Sequence, residues 1–165
     1  MVGIAGSGKT TYAAKAFPGH VRVSLDINRE RLSPAERNRL VERYDAERPL
    51  GPVQLSNNRK AECVQMDDAL REGRDVVVDN TNLTRRIRRP YIALARRHKA
   101  ARVRAVFFDD FELACARNAR RPKGRKRVPG DVVIEQDGML EPPTEREGFD
   151  SVRPGDEYSQ APPTG

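Results

Sequence analysis

Gly3-Ile4-Ala5-Gly6-Ser7-Gly8-Lys9-Thr10-Thr11 is the stretch on which the reading of the whole chain turns. Every fixed position of the pattern G-x-x-x-x-G-K-S/T is filled. Glycines at 3, 6 and 8 let the backbone come close to an anion with its N–H groups turned inward, and a helix starting at Lys9 would add its positive end. Lys9 can bridge the β- and γ-phosphates of a nucleotide, and the Thr10 hydroxyl can bind Mg²⁺. Ser7 and Thr11 complete the expected nucleotide-binding set of Gly3, Gly6, Ser7, Gly8, Lys9, Thr10 and Thr11. With glycine at about 7% of residues, a chance match in a chain of this size is on the order of one in a hundred. The bland alternative is a Gly/Ser-rich turn before a helix. Only Met1 and Val2 precede the first glycine, so the first strand is shorter than usual.

Working outward, Met1 to Ile4 reads as that strand and Lys9 to Phe17 as the helix after it, ending before Pro18-Gly19. Val21 to Leu25 alternates as a second strand and stops at Asp26, whose carboxylate should project from the strand end, where open α/β sheets bind ligands. Ser33 and Pro34 start a charged helix running to Asp45, with Leu40, Val41 and Tyr44 on one face. Pro49 to Asn58 reads as loop. Lys60 to Arg71 reads as a helix stopped by Gly73, and Val76-Val77-Val78 as a strand covered on both faces. Thr84 to Lys99 is an Arg-rich helix with Ile87, Tyr91, Leu94 and Ala95 on one stripe, in which Pro90 must make a kink or mark the true start. Val103 to Phe108 is the next strand, Phe111 to Arg121 the next helix, Pro122 to Pro129 a basic loop, and Gly130 to Leu140 a last helix. From Ser151 the composition turns to Pro, Gly and polar residues, the pattern of a mobile tail. The expected class is α/β, a mainly parallel central sheet flanked by helices, with one domain over residues 1–152 and a flexible tail over 153–165.

The 165 residues suffice for one domain with its own core. Lys and Arg number 31 against 24 Asp and Glu, a net charge of +7 and a pI near 9.8, which favours a polyanionic partner. Cys63 and Cys115 are the two cysteines, without a CxxC or a histidine cluster, so neither a disulfide framework nor a zinc site is indicated. No apolar run approaches the roughly 18 residues of a membrane span, and a catalytic-looking loop stands where a signal peptide would, so a cytoplasmic chain without a membrane partner is expected.

A triphosphate loop alone does not separate kinases from GTPases or motor ATPases. Ser24-Leu25-Asp26-Ile27-Asn28-Arg29 narrows the choice: a carboxylate beside the phosphate loop can take a proton from an acceptor hydroxyl, and Arg29, three residues on, can hold an anionic acceptor. A helix cap or turn is the alternative for Asp26. Val78-Asp79-Asn80-Thr81-Asn82 ends a buried strand in an acid, the arrangement by which a second carboxylate reaches Mg²⁺. Ordinary turn chemistry is the alternative there, and Asn82 or Thr84 is expected to cap the next helix.

Taken in order, the phosphate loop, Asp26 with Arg29, Val78-Asp79-Asn80-Thr81-Asn82, Arg117-Asn118 with Arg121, Val128-Pro129-Gly130-Asp131-Val132-Val133, and Pro142-Pro143 with Glu147-Gly148-Phe149 resemble the P-loop 5′-polynucleotide kinase family. This family comprises phage and bacterial end-healing kinases and the kinase domain of animal polynucleotide kinase-phosphatases, and the resemblance covers the chain up to residue 152. It implies transfer of the γ-phosphate of ATP or GTP, with Mg²⁺, to 5′-hydroxyl ends of DNA or RNA in nucleic-acid repair. Asp26 would be the general base and Arg29 the contact to the acceptor's 3′-side phosphate. Arg117 and Arg121 would be lid arginines over the donor phosphates, in a lid near 117–129, with Arg120 able to share the role. Lys9 completes the catalytic set, Thr10 and Asp79 the metal set, and Asn80, Thr81 and Asn82 join Asp26 and Arg29 at the acceptor. The sequence departs from the family in its unusually basic Pro122-Lys123-Gly124-Arg125-Lys126-Arg127. Ligation and 3′-end processing would belong to partner repair enzymes on other chains.

Arg85, Arg86, Arg88, Arg89, Arg96, Arg97 and Lys99 cover most of the polar circumference of one helix. A solvated face and a nucleic-acid groove are both open readings. The 120–127 run reads as lid, nucleic-acid contact or flexible charged loop. Four Tyr, five Phe and no Trp leave little for an extended stacking platform. Two rival functions remain: a P-loop kinase of a small hydroxyl-bearing metabolite or nucleoside, and a nucleotide-gated nucleic-acid-binding module. The first is disfavoured by Arg29 and the net charge, the second by Asp26.

Overall fold

Strand β1 is only Val2–Gly3, and the fold is arranged around it. The computed structural model describes residues 1–155 other than Pro52, Ala101, Lys123, Arg125 and Lys126. After β1 come α1 (Lys9–Ala16), β2 (Val21–Val23), α2 (Leu25–Arg31), α3 (Pro34–Glu47), α4 (Asn57–Arg71), β3 (Val76–Val78), α5 (Arg85–Arg97), β4 (Arg104–Phe108), α6 (Phe111–Ala119), α7 (Gly130–Gly138), a 3₁₀ turn at Glu145–Glu147 and β5 (Ser151–Pro154). All strand pairings are parallel, β2 with β3 and β1-β4-β5 in order. The two pieces meet where the Met1 amino group donates to the Val78 carbonyl at 2.9 Å and the Gly3 N–H to the Thr81 carbonyl at 3.0 Å. The lateral order is therefore β2-β3-β1-β4-β5, and the α/β class with a parallel sheet between helices is observed. A cavity of about 580 Å³ lies between β3 and β4, lined by Val2, Val76, Val77, Ala105 and Val106 among others.

Local chemistry sets most boundaries. Ser33 and Glu36 form a reciprocal capping box with Pro34 at the first helical position, so α3 starts where its sequence predicts. Thr84 caps α5, its hydroxyl accepting from the Ile87 N–H at 3.3 Å. Pro90 lies inside that helix rather than at its start. Two apolar clusters form the core. One joins Val23, Tyr44, Cys63, Val64, Met66, Tyr91, Leu94 and Ala95; the other, beneath the phosphate loop, joins Ile4, Leu83, Ala114 and Val133. Burial in the first cluster pushes the Cys63 thiol up to about 12, which leaves it an inert packing group. Among the described residues no helix is long and apolar enough to cross a membrane.

Three expectations are corrected. Strand β2 stops at Val23, and Asp26 stands in the first turn of the short helix α2 instead of at a strand end. The chain from Ser151 is not a tail at its start: Ser151 to Pro154 pair with Arg104 to Phe107, and the Gly155 N–H donates to the Phe107 carbonyl at 2.7 Å. Arg153 and Pro154 thus belong to the sheet, and the expectation for 156–165 lies outside the described residues. Asp150 explains the strand, since it accepts from the Val103 N–H at 2.6 Å and pairs with Arg96 at 2.7 Å, tying the entry of β5 to β4 and α5.

The third correction concerns the basic helix. Arg88 is buried: its Nε and Nη2 grip both oxygens of Glu147 at 2.7 Å, and its Nη1 donates to the carbonyls of Asn82, Leu83 and Glu141 at 2.9 to 3.0 Å. These bonds from Arg88 and Thr144 hold the Glu147 carboxyl below its usual range although burial pushes it up. Arg96 also reaches the Gly148 carbonyl at 2.8 Å, and Arg97 donates to the Pro49 carbonyl. Part of the arginine stripe is therefore internal scaffolding, invisible to a helical projection that treats every arginine as solvated.

Candidate active site

The phosphate loop leaves β1 at Gly3, turns through Ile4 to Gly8 and enters α1 at Lys9. Gly6 has φ +87°, and a Cβ there would lie 2.2 Å from the Ala114 carbonyl oxygen, so α6 packs directly on loop backbone. Gly8 caps α1 at φ +98°, a conformation that costs a side chain dearly. Lys9 folds back over this loop, its Nζ donating to the Ile4 carbonyl at 2.6 Å and to Ser7 Oγ at 3.1 Å. Burial lowers its pKa to about 8, with Asp79 and Asp26 opposing that shift and Arg121 adding to it. Asp79, Asp26 and Arg121 therefore all lie within electrostatic reach of Lys9.

Arg117 projects from α6 onto the loop, its Nη1 donating to the Ser7 carbonyl at 3.2 Å and standing beside Gly8. Arg121 acts on the Lys9 charge, but α6 ends at Ala119, so the helix expected over Phe111 to Arg121 stops short of it. Arg120 is the exposed C-cap. Asn118 closes the base of the basic loop: its Nδ2 donates to the Val128 carbonyl at 2.7 Å and its Oδ1 accepts from the Val128 N–H at 3.1 Å. Lys123, Arg125 and Lys126, on which much of the lid expectation falls, lie outside the described residues.

On the side where the acceptor is expected, Asp26 and Arg29 stand one turn apart on α2 with Oδ1 and Nη1 3.8 Å apart, both open to solvent. Asp79 is buried at the end of β3, its N–H donating to the Val23 carbonyl and its Oδ2 3.7 Å from Arg22 Nε. Thr10 and Thr11 are exposed in the first turn of α1, and the Thr10 hydroxyl makes no hydrogen bond among the described residues. The donor set of Thr10 and Asp79 fits Mg²⁺, which takes one or two protein oxygens and completes its octahedron with phosphate and water. Asn80, Thr81 and Asn82 are otherwise engaged. Asn80 bonds the Leu25 N–H and Glu62, the Thr81 carbonyl accepts from Gly3, and Asn82, at φ +49°, donates to the Met1 carbonyl at 2.8 Å.

Glu62 and Gln65 escaped the sequence reading, and Asn118 entered it only as part of a motif, without a role. Asn28 and Gln65 exchange two amide bonds of 2.9 Å, tying α2 to α4. The only signal was that Glu62 sits in helical register with Met66 and Ala69, a charge on an apolar face.

Fold and site together define a P-loop NTPase-type, kinase-like nucleotide-binding chain. The family model described as AAA domain matches residues 1–143, and the chain belongs to that family. No curated protein matches it.

Proposed function

We propose that the chain is a polynucleotide 5′-hydroxyl kinase, transferring the γ-phosphate of ATP or GTP to 5′-hydroxyl ends of DNA or RNA. The observation that carries this reading is the pairing of a solvent-open Asp26, with Arg29 beside it, against a buried Lys9 whose charge feels Asp26 across the site. An open carboxylate with an adjacent guanidinium suits the end of a large anionic chain; an enclosed small metabolite would favour a closed pocket. The resemblance of the ordered motifs to 5′-polynucleotide kinases supports the same choice.

In this reading the nucleotide's phosphates lie along Gly6 to Thr10, with the loop N–H groups and Lys9 neutralising charge. Thr10 and Asp79 would hold Mg²⁺, which when bound neutralises the β- and γ-phosphate oxygens. Arg29 holds the phosphate on the 3′ side of the terminal nucleoside, which aligns the 5′-hydroxyl with the γ-phosphorus. Asp26 accepts the hydroxyl proton as the new P–O bond forms and the bond to the nucleoside diphosphate breaks. Arg117 and Arg121 stabilise the charge on the transferring group. Repair enzymes on other chains, such as a ligase, would use the 5′-phosphate product.

Transfer of labelled γ-phosphate from ATP and GTP to a 5′-hydroxyl oligonucleotide, with Mg²⁺, tests the proposal. Label that reaches the oligonucleotide with the native protein and is lost with Asp26→Ala supports both the reaction and its base. No transfer to any polynucleotide while triphosphate still binds would end the assignment, pointing to small hydroxyl acceptors or to a binding module.

A further inference from the structure

Helix α2 carries both acceptor-side residues, yet it is only seven residues long and its N-cap Ser24 makes no side-chain capping bond. Its first amide is satisfied from elsewhere: the Leu25 N–H donates to Asn80 Oδ1 at 2.9 Å. Asn80 in turn donates through Nδ2 to Glu62 Oε1 at 2.9 Å, and Tyr91 Oη donates to Glu62 Oε2 at 2.6 Å. Glu62 is 2% exposed, and its carboxylate makes no ion pair among the described residues. Burial raises its pKa, offset by these two bonds and by the charges of Arg59 and Arg29. A carboxylate sunk in an apolar face is costly, and this one touches neither nucleotide loop nor solvent.

Donor and acceptor logic gives it a task. An ionised carboxylate can only accept, so the Asn80 NH₂ must face Glu62, and the Asn80 carbonyl oxygen must then face Leu25. With a neutral apolar residue at 62 only the Leu25 N–H would orient the Asn80 amide, and its NH₂ would be left buried without an acceptor. The second tie between α2 and α4, Asn28 to Gln65, falls three residues further along both helices. The two ties therefore hold α2 at points one turn apart.

We propose that Glu62 and Asn80 are positioning residues: the buried carboxylate orients the Asn80 amide, which caps α2 in place of Ser24 and so sets where Asp26 and Arg29 stand against the phosphate loop. This rests on the reading of Asp26 as the base for the acceptor hydroxyl. It makes Asn80 part of the frame of the acceptor site instead of a contact to the acceptor.

The test is a swap of the paired groups. Asn80→Asp sets two carboxylates against each other and displaces the cap. Adding Glu62→Gln restores a donor facing an acceptor: the new amide can donate to the new carboxylate and accept from Tyr91, and the pair returns to one negative charge. For Asn80→Asp we expect kcat with a 5′-hydroxyl oligonucleotide to fall about 100-fold, the order of loss that a small misplacement produces, while nucleotide affinity changes little. The double variant should recover to within about tenfold of the native protein. A merely structural role would lower thermal stability in both variants without this recovery. A double variant no faster than Asn80→Asp, or an Asn80→Asp protein as fast as the native one, overturns the proposal. If the native protein phosphorylates no polynucleotide, the functional reading fails by itself. The relay is then judged by hydrogen exchange at the Leu25 amide, protected in the native and double proteins and exposed in Asn80→Asp; equal protection in all three overturns it.

Discussion

Lys9 and Asp26 face each other across one site, yet Lys9 is 8% exposed while the Asp26 side chain is 86% exposed. The donor side is a preformed cradle, its backbone packed on α6 and its lysine held by two hydrogen bonds. The proposed acceptor side is a short helix held in place by remote polar groups, with Asp26 and Arg29 open to water. The difference follows from what each side must hold. A triphosphate is small, and its recognition uses backbone N–H groups that cannot be supplied by a loose loop. In the proposed reaction the acceptor, a polynucleotide end, is large and arrives from solvent, so the proposed base and phosphate contact would have to stay accessible.

The sharpest way to break the contrast is to damage the cradle. Gly6→Val would drive a side chain into the Ala114 carbonyl, and we expect nucleotide binding to vanish, measured by calorimetric titration, together with a lowered melting temperature. Asp26→Ala should do the reverse. Turnover falls by about 10²- to 10⁴-fold, the usual contribution of a general base, while nucleotide affinity and melting temperature stay near native values. A parallel loss of nucleotide binding would erase the division between the two sides.

Arg88→Ala tests the scaffold beneath both. Removing it takes the bidentate partner from the Glu147 carboxylate and one donor from each of three carbonyls, a cost of about 3 to 5 kcal/mol in chemical denaturation. If this arginine were instead a nucleic-acid contact, stability would hold and the salt dependence of oligonucleotide binding would flatten.

The smallest expected effect is in pH. Lys9 titrates near 8 in the free protein, below its unfolded value, so the folded state loses this proton first as pH rises. Burial of the charged amine therefore opposes folding in full below pH 8, and stability from this group grows between about 8 and the ordinary lysine range. Nucleotide binding runs the other way. Phosphate needs the cationic form, so affinity should weaken as pH rises above 8 in the native protein and stay flat in Lys9→Met.

The donor half was legible because its chemistry is local. Gly6, Gly8, Lys9 and Thr10 act within one turn of chain, so their spacing already carries their geometry. The caps at Ser33 and Thr84 were legible for the same reason. The acceptor half was legible only as a pair, Asp26 with Arg29, since both fall on one helical turn. That this turn is a helix and not a strand end was hidden, because the bond that secures Leu25 comes from Asn80, 55 residues away. Strand β5 was hidden likewise: Ser-Val-Arg-Pro has no strand pattern of its own and becomes one by pairing with β4.

By itself, then, the sequence determined the phosphate loop and the α/β order of elements, and it named the charged groups proposed for the site. Tertiary structure decided which charges are free to act: it sank Arg88 and Glu62 into the frame, committed Asn80 and Asn82 to backbone, and left Asp26 and Arg29 in water. Periodicity reports only neighbours within a turn or two of chain. Burial depends on partners such as Glu147 and Tyr91, which the chain brings near only when it folds.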